Sequence, residues 1–341
     1  MLRQVMLQPG VIEIQQVEAP QAQAGELLIK IMHIGICGSD IHVYHGTHPF
    51  TQYPVTQGHE VSGEVAAIGD GVTGFRVGQK VTIEPQWTCG TCHPCRHGKY
   101  NLCDSLRVMG FQAPGVAQHF FAVPHSKVTP LPDSLSFEEG ALIEPLAVAV
   151  HAVNRAGDMA GKDVCVLGAG PIGNLVAQAA KALGARAVMI TDISDYRLAL
   201  AGRLGADHCL NTSVHDFGEG LLNAFGPDKA DVIFDCAGNN TTMGQAIRHA
   251  RKGSPIVLVA VFTGMATVDL ALLNDHELDI LSSMMYRHEH YLTAIELAAA
   301  GKVQLNPLVS KRFPLREYQA AYEFIDANRE KTMKVLIDVQ K

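Results

Sequence analysis

Short stretches in which apolar and polar residues alternate dominate the first quarter of the chain. Clear examples are residues 26–38, 60–72 and 78–85, which are separated by glycines and prolines that mark turns. A period of two is typical of strands that bury one face. From Val11 to about Ile83 the sequence therefore predicts an irregular antiparallel or barrel-like domain.

The pattern changes near Gly140. Residues 141–157 carry a long apolar stretch with helical spacing and no internal glycine. Residues 162–194 then read as an apolar strand, a glycine turn, a helix and a second strand, which is one βαβ unit of a parallel sheet. Residues 230–238 and 254–262 are continuous apolar runs that suit strands covered on both faces. This part of the chain predicts a doubly wound parallel sheet.

The segment from Tyr291 to the C-terminus differs again, with two helix-like stretches and a final strand. We expect this segment to return to the first domain. A chain of 341 residues that is 47% hydrophobic can bury a large core and is too long for one ordinary domain. We therefore predict an α/β protein in which residues 1–147 with 289–341 form one domain and residues 148–288 form the other.

Charge and composition exclude several classes of protein. The net charge of -7 offers no basic surface for nucleic acid. The N-terminus lacks the apolar core of a secretory signal, and no stretch is long and apolar enough to span a bilayer. The chain's eight cysteines fit a reducing compartment better than a disulfide framework. We expect a cytoplasmic protein without nucleic-acid or membrane partners.

Four cysteines lie within fifteen residues, in the sequence CGTCHPCRHGKYNLC. They are Cys89, Cys92, Cys95 and Cys103. Thiolates at this spacing are typical of a tetrahedral zinc site, and four of them leave no open coordination position. Iron, two disulfides and a chance cluster are the alternatives. The loop therefore predicts a structural metal site, and the chemistry must lie elsewhere in the chain.

A glycine motif follows the strand that ends at Leu167 and opens the next helix. It consists of Gly168, Ala169, Gly170, Pro171, Ile172 and Gly173. In this setting the first glycine permits a tight turn, the second lets a pyrophosphate approach the backbone, and the third brings the helix close to the strand. With the strand and helix both present, the motif predicts a dinucleotide site rather than a simple packing turn.

An acidic residue ends the next strand and bears on the choice of cofactor. Asp192 is placed to accept hydrogen bonds from both hydroxyls of an adenosine ribose, and its charge would repel the extra phosphate of NADP. Arg197 follows five residues later and could soften that preference. The sequence favours NAD over NADP.

A second group of metal-ligating residues comes from three separate segments. Residues 35–42 supply a cysteine and a histidine, residues 58–60 a histidine and a glutamate, and residues 142–145 another glutamate. A thiolate, an imidazole and a carboxylate together form the kind of open zinc site in which water or substrate occupies the remaining position. Each residue alone is weak evidence, because single buried cysteines and histidines are usually structural.

The motifs taken together resemble one enzyme family. They are GICGSDIH at 35–42, GHE at 58–60, the four-cysteine loop, GALIEPLAVAVHA at 140–152, GAGPIG at 168–173 and AIELAAAGKV at 294–303. Over essentially its whole length the chain resembles the zinc-dependent medium-chain alcohol dehydrogenases, most closely the sorbitol, polyol and 2,3-butanediol dehydrogenase branch. The resemblance implies a GroES-like β-rich catalytic domain, a Rossmann domain and two zinc ions per subunit in a homodimer or homotetramer. It also implies hydride transfer from a secondary alcohol of a polyol, diol or sugar acid to NAD.

The resemblance also implies roles for individual residues. Cys37 and His59 match zinc ligands, while Glu60 and Glu144 both match carboxylates of the catalytic site, and which of them binds the metal in the resting state stays open. The four cysteines of the loop match the structural zinc site.

Three further residues of the first metal-binding segment match supporting roles. Asp40 matches a carboxylate that orients the ligating histidine, fixing its tautomer and basicity. Ser39 and His42 match a proton relay from substrate to solvent.

The chain departs from typical sorbitol dehydrogenases where the substrate would be selected. Val43 replaces an aromatic residue, the pair Tyr286 and Arg287 stands in inverted order, and the turn at 113–119 differs. These changes argue against sorbitol itself, and the basic residues near Arg287 make a sugar acid conceivable. The alternatives are another alcohol, a threonine-type amino alcohol, a zinc-free reductase of the same superfamily, or a non-catalytic zinc and nucleotide-binding protein.

Overall fold

The computed structural model describes residues 1–262 and 264–341. The chain divides into two compact units, Met1–Glu144 with Leu305–Lys341, and Pro145–Gln304. The second crossing between units therefore falls at residue 305, whereas the sequence places the return to the first domain at residue 289. In the described residues, no helix has both the length and the apolar character needed to cross a membrane.

Strands occur in both units. They are β1 (Leu2–Gln8), β2 (Val11–Gln16), β3 (Glu26–Gly35), β4 (Glu60–Ile68), β5 (Lys80–Ile83), β6 (Gln86–Trp87), β7 (Arg107–Val108), β8 (Phe120–Pro124), β9 (Val128–Pro130), β10 (Asp163–Leu167), β11 (Ala187–Asp192), β12 (His208–Asn211), β13 (Val232–Asp235), β14 (Pro255–Leu258), β15 (Asp279–Ser282), β16 (Val309–Pro314) and β17 (Lys334–Asp338).

The α-helices connect these strands. They are α1 (Gly38–Tyr44), α2 (His93–Arg96), α3 (Phe137–Ala141), α4 (Ile143–Arg155), α5 (Pro171–Ala182), α6 (Asp195–Arg203), α7 (Phe217–Phe225), α8 (Asn240–His249), α9 (Leu270–Asp275), α10 (His288–Ala299) and α11 (Tyr318–Ala327). Short 3₁₀ segments lie at Tyr100–Leu102, His125–Lys127, Gly226–Asp228, Asn306–Leu308, Leu315–Glu317 and Arg329–Lys331.

The first unit is built on a seven-stranded sheet. Its order is β16-β17-β3-β4-β5-β9, and β8 pairs with the first half of β3. All of its pairs are antiparallel except β16 with β17. Along β3, Leu27, Ile29 and Ile31 are fully buried while the residues between them are partly exposed. The period of two in the sequence therefore reflects one buried face, and the predicted β-rich domain is confirmed.

The second unit contains a six-stranded, fully parallel sheet. Its order is β12-β11-β10-β13-β14-β15. The sheet grows outward in both directions from β10, which is the arrangement of a doubly wound nucleotide-binding fold. Every residue of β10 is buried, because the central strand of such a sheet is covered on both faces. The predicted Rossmann-type sheet is confirmed.

Candidate active site and metal centres

Strand pairing in the first unit brings three of the predicted metal ligands together. Gly35, at the end of β3, pairs with Glu60, at the start of β4. Cys37 follows β3 as the N-cap of α1, and His59 directly precedes β4. The ligand atoms of Cys37, His59 and Glu60 all lie within 4.8 Å of one another. A side chain at Gly35 would collide with the Glu60 carboxylate, so glycine is required at that position.

Asp40 organises this group from a fully buried position. Its Oδ2 accepts a hydrogen bond of 3.0 Å from the Cys37 backbone N–H, and its Oδ1 lies 3.6 Å from Nδ1 of His59. Burial lowers the pKa of His59, but Asp40 and Cys37 raise it by more, so this pKa lies well above its ordinary value. The surroundings of the imidazole therefore favour positive charge, and with Nδ1 facing Asp40 its Nε2 is the nitrogen left for a metal.

The donor set fits a zinc ion. Glu60 and His59 are buried, and in residues 1–262 and 264–341 the Glu60 Oε2 atom has no hydrogen-bond partner. A buried carboxylate oxygen is costly to leave unpaired, and a cation would satisfy it. Thiolate, imidazole and carboxylate are all ligands that catalytic zinc uses.

Glu144 lies apart from this tight group. It sits in the first turn of α4 with 4% of its surface exposed, and the group of ligand atoms within 4.8 Å does not include it among the described residues. Its charge nevertheless acts on Lys334, the side chain that pairs with Glu60. Glu144 is therefore a near neighbour of the site, while Glu60 is the carboxylate that stands beside Cys37 and His59.

Ser39 and His42 lie on the same helix as the Cys37 cap. They are three residues apart in α1, which places them on one face of the helix, and both are half-buried. Nδ1 of His42 is 3.4 Å from the Thr47 hydroxyl. Their position next to Cys37 is compatible with the relay that the resemblance implies.

Two features of the site were not found by sequence reasoning. Lys334 is buried, and its ammonium group donates to Oε1 of Glu60. Phe111 lies with its ring centroid 5.0 Å from that of His59, and His48 stacks on Phe111 at 4.8 Å. A signal for Lys334 was present, because a lysine that opens an otherwise apolar final strand needs a buried partner.

The four-cysteine loop forms a second compact group in the first unit. All four sulfur atoms lie within 4.8 Å of one another, and none is in a disulfide. The Sγ atoms of Cys89 and Cys95 are 4.0 Å apart and those of Cys92 and Cys103 are 3.9 Å apart. Bonds of about 2.3 Å to one tetrahedral zinc would place sulfur atoms about 3.8 Å apart. The geometry therefore fits a closed zinc site and does not fit two disulfides.

Backbone N–H groups of this loop donate hydrogen bonds to its cysteine sulfur atoms. The N–H groups of Thr91 and Cys92 donate to the Cys89 sulfur and lower the pKa of its thiol to about 6. The Cys89 N–H in turn donates to the sulfur of Cys103 at 3.3 Å. The donors on Cys89 favour its thiolate, which is the form that binds metal, whereas burial and the neighbouring thiols raise the pKa of Cys95 to about 12.

The second unit places the glycine motif at the start of α5. Gly168 follows β10 with φ of +96°, and Gly170 is the N-cap of α5 with Pro171 and Ile172 opening the helix. A Cβ at Gly173 would lie 1.8 Å from the Gly168 carbonyl oxygen, whereas one at Gly170 would meet nothing within 4 Å. The close helix–strand approach predicted for the third glycine is therefore present, and the space beside the second is open.

Asp192 ends β11 and is held at this turn. Its Oδ2 accepts a hydrogen bond of 2.7 Å from the Ala169 N–H, and its Oδ1 accepts from the N–H groups of Ile193 and Ser194. Arg197 lies 3.9 Å from Oδ2. A carboxylate has about four acceptor positions, so with three N–H donors in place Asp192 retains about one for a ribose hydroxyl.

Comparison with known proteins shows where the chain belongs. The sequence profile of the alcohol dehydrogenase GroES-like domain matches residues 23–133, and that of the zinc-binding dehydrogenases matches residues 171–300. The chain is 37% identical to the 2-dehydro-3-deoxy-L-galactonate 5-dehydrogenase of Pseudoalteromonas atlantica, over 93% of this chain and 92% of that protein. It is 33% identical to the sorbitol dehydrogenase of Bacillus subtilis, over 96% of this chain and 94% of that protein.

The chain belongs to the zinc-dependent alcohol and polyol dehydrogenase family. The resemblance read from the motifs is thereby confirmed, as is its α/β fold. Curated relatives of this zinc-type dehydrogenase act, by their names, on polyols and sugar acids.

Two solved structures of the family carry different cofactors. An alcohol dehydrogenase of Escherichia coli complexed with NADH superposes with a TM-score of 0.92 at 29% identity, covering 99% of each chain. A zinc-binding dehydrogenase of Sinorhizobium meliloti bound to NADP superposes with a TM-score of 0.91 at 30% identity, again covering 99% of each chain. The dehydrogenase fold of this chain is thus shared by proteins that bind either nicotinamide cofactor.

Substitutions at two of the three glycines of the motif should separate stability from cofactor binding. We expect Gly173→Ala to lower the free energy of unfolding by about 1–3 kcal/mol, because the new methyl group collides with backbone. Gly170→Ala is the matched variant, and it should leave thermal stability unchanged while weakening NADH binding, because its methyl group enters the space where a pyrophosphate would approach. Thermal unfolding and NADH fluorescence titration measure both effects, and equal stability of the two variants would contradict the packing argument.

The four-cysteine loop should depend on its metal for order. We expect Cys95→Ser to reduce bound zinc by one ion per chain and to lower the melting temperature by several degrees, because one ligand of the closed site is lost. Cys209→Ser is the control, since Cys209 is exposed in β12 and lies outside both metal groups. Elemental analysis with thermal unfolding makes the comparison, and an unchanged zinc content in Cys95→Ser would rule out the tetrahedral assignment.

Proposed function

We propose that this dehydrogenase oxidises a secondary alcohol of a polyol, diol or sugar acid with NAD as hydride acceptor. The proposal includes a catalytic zinc ion held by Cys37 and His59 with Glu60 or Glu144, and a structural zinc ion in the four-cysteine loop. The observation that carries it is the convergence of Cys37, His59 and Glu60 within 4.8 Å around the buried Asp40.

A zinc ion in this group would act as a Lewis acid that stabilises the alkoxide form of a substrate hydroxyl. The chain's own residues supply the rest. Asp40 holds the His59 ring in the orientation that leaves Nε2 for the metal. Ser39 would take the hydroxyl proton as it gives up its own, and His42, one helical turn further and half-buried, would release a proton to solvent at the end of the relay.

The proposed preference for NAD is supported by Asp192. Three backbone N–H groups hold its carboxylate in place, so a second anion arriving as a 2′-phosphate would meet a fixed negative charge. Arg197 lies 3.9 Å from the same carboxylate, and its charge is therefore already engaged by Asp192.

The intact site disfavours the non-catalytic alternative. A purely structural protein needs no thiolate, imidazole and carboxylate converging on one point with a buried, unpartnered carboxylate oxygen among them, as the described residues show here. The same residues and the four-cysteine loop disfavour a zinc-free reductase. A homodimer or homotetramer in a reducing cytoplasm stays a prediction.

Turnover should depend on the Cys37 site. We expect the zinc-loaded chain to form NADH at 340 nm with at least one member of a panel of polyols, diols, sugar acids and threonine. Cys37→Ala should lower that rate by at least a thousandfold while NADH binding changes less than threefold, because the cysteine lies in the first unit and the glycine motif in the second. Cys209→Ala serves as control, and full activity in Cys37→Ala would refute the catalytic assignment.

Cofactor choice should follow the charge at residue 192. Asp192→Ala is expected to weaken NAD and to raise the ratio of kcat/KM for NADP over NAD by about tenfold or more, because it removes both the ribose acceptor and the repulsion of the phosphate, and it frees Arg197. Asp195→Ala, three residues along on α6, is the control for a change of local charge. If the ratio is unchanged in Asp192→Ala, the proposal that Asp192 binds the ribose is wrong.

A further inference from the structure

Lys334 is a buried lysine beside the proposed catalytic metal group. It opens β17, which pairs with the end of β3, and only 3% of its surface is exposed. Its ammonium group donates to Oε1 of Glu60 and lies 3.5 Å from the Ile36 carbonyl oxygen. A buried ammonium group is costly unless it is paired, so its place here needs an explanation beyond packing.

The charges around Lys334 belong to the metal group. The ammonium group is paired with the Glu60 carboxylate, which is a member of that group, and the buried Glu144 is a near neighbour. Lys334 therefore offsets one of the negative charges of the buried acids Asp40, Glu60 and Glu144.

The two oxygens of Glu60 have different environments. Oε1 is paired with Lys334, whereas Oε2 has no hydrogen-bond partner in the part of the chain that the structure describes and lies over Gly35. One oxygen is therefore fixed by the lysine and the other is left for a cation. Because Lys334 and a metal ion attract the same carboxylate, each weakens the hold of the other on it.

We propose that Lys334 is a positioning residue that competes with the catalytic metal for Glu60 and so keeps Glu60 a weak, displaceable ligand. This inference rests on the proposed function, because it requires a metal at Cys37 and His59. A displaceable Glu60 would free a coordination position for a substrate hydroxyl, while its Oε1 atom would stay paired with Lys334. The role is separate from proton transfer, which involves Ser39 and His42.

The test measures metal binding without turnover. The full chain, with the four-cysteine loop filled with zinc, is titrated with Co²⁺ against a chelator, and the absorption spectrum of the cobalt form is recorded. We expect Lys334→Met to bind Co²⁺ at least about tenfold more tightly than the wild type, because the competing charge is gone. Its visible bands should also change, because Glu60 becomes a permanent ligand. Lys334→Gln provides a second neutral variant if the methionine variant does not fold.

Three further variants separate competition from a structural role. Lys334→Arg keeps the charge and should bind Co²⁺ within threefold of the wild type. Glu60→Gln/Lys334→Met should lose the gain in affinity, because the contested carboxylate is absent. Lys30→Met is the control, since Lys30 of β3 forms a half-exposed ion pair of 3.1 Å with Glu64, which lies on the same strand β4 as Glu60, and should leave Co²⁺ affinity unchanged.

The outcomes distinguish this inference from the proposed function. Suppose that the wild type binds two metal ions. If folded Lys334→Met or Lys334→Gln then binds Co²⁺ with wild-type or weaker affinity, the role of Lys334 is overturned and the proposed catalytic centre stands. A wild-type chain that binds metal only in the four-cysteine loop would overturn the proposed catalytic centre and this inference together.

Discussion

The candidate active site depends on the register of one pair of strands. Gly35 of β3 stands opposite Glu60 of β4, and this pairing alone brings Cys37 beside His59 and Glu60. On its other side the end of β3 pairs with β17, which carries Lys334 to the same carboxylate. A slip of one residue would turn Glu60 to the opposite face of the sheet and separate it from Cys37 and His59. The buried alternation of β3 secures this register, because a slip would also expose its core residues.

The electrostatics of the site follow from burial. Asp40 and Glu60 are fully buried acids, and each has a cationic or N–H partner: Asp40 faces Cys37 N–H and His59, and Glu60 faces Lys334. The arrangement leaves the Glu60 Oε2 atom without a partner close to the sulfur of Cys37 and the ring of His59. A metal ion there would satisfy this oxygen, and its binding would then be coupled to the folding of this region.

The proposed cofactor site of the second unit combines backbone groups with the carboxylate of Asp192. The Gly168 turn, the α5 N-terminus and the Ala169 N–H are held together by Asp192, whose carboxylate bridges the ends of two neighbouring strands. The helix N-terminus favours the pyrophosphate and the carboxylate favours the ribose. Under the proposed function, cofactor choice would depend on Asp192 and on how it engages Arg197.

Much of this could be predicted from local sequence. The period of two along β3, the apolar run of β10 and the glycine spacing each reflect neighbours only a few residues away, and the four cysteines lie in one loop. Motif resemblance added Cys37, His59 and Glu60. Local sequence could not show that Lys334 pairs with Glu60, that Phe111 lies against His59, or that Glu144 stands outside the tight ligand group. These contacts join residues tens to hundreds of positions apart, so strand order and register in the folded chain decide them.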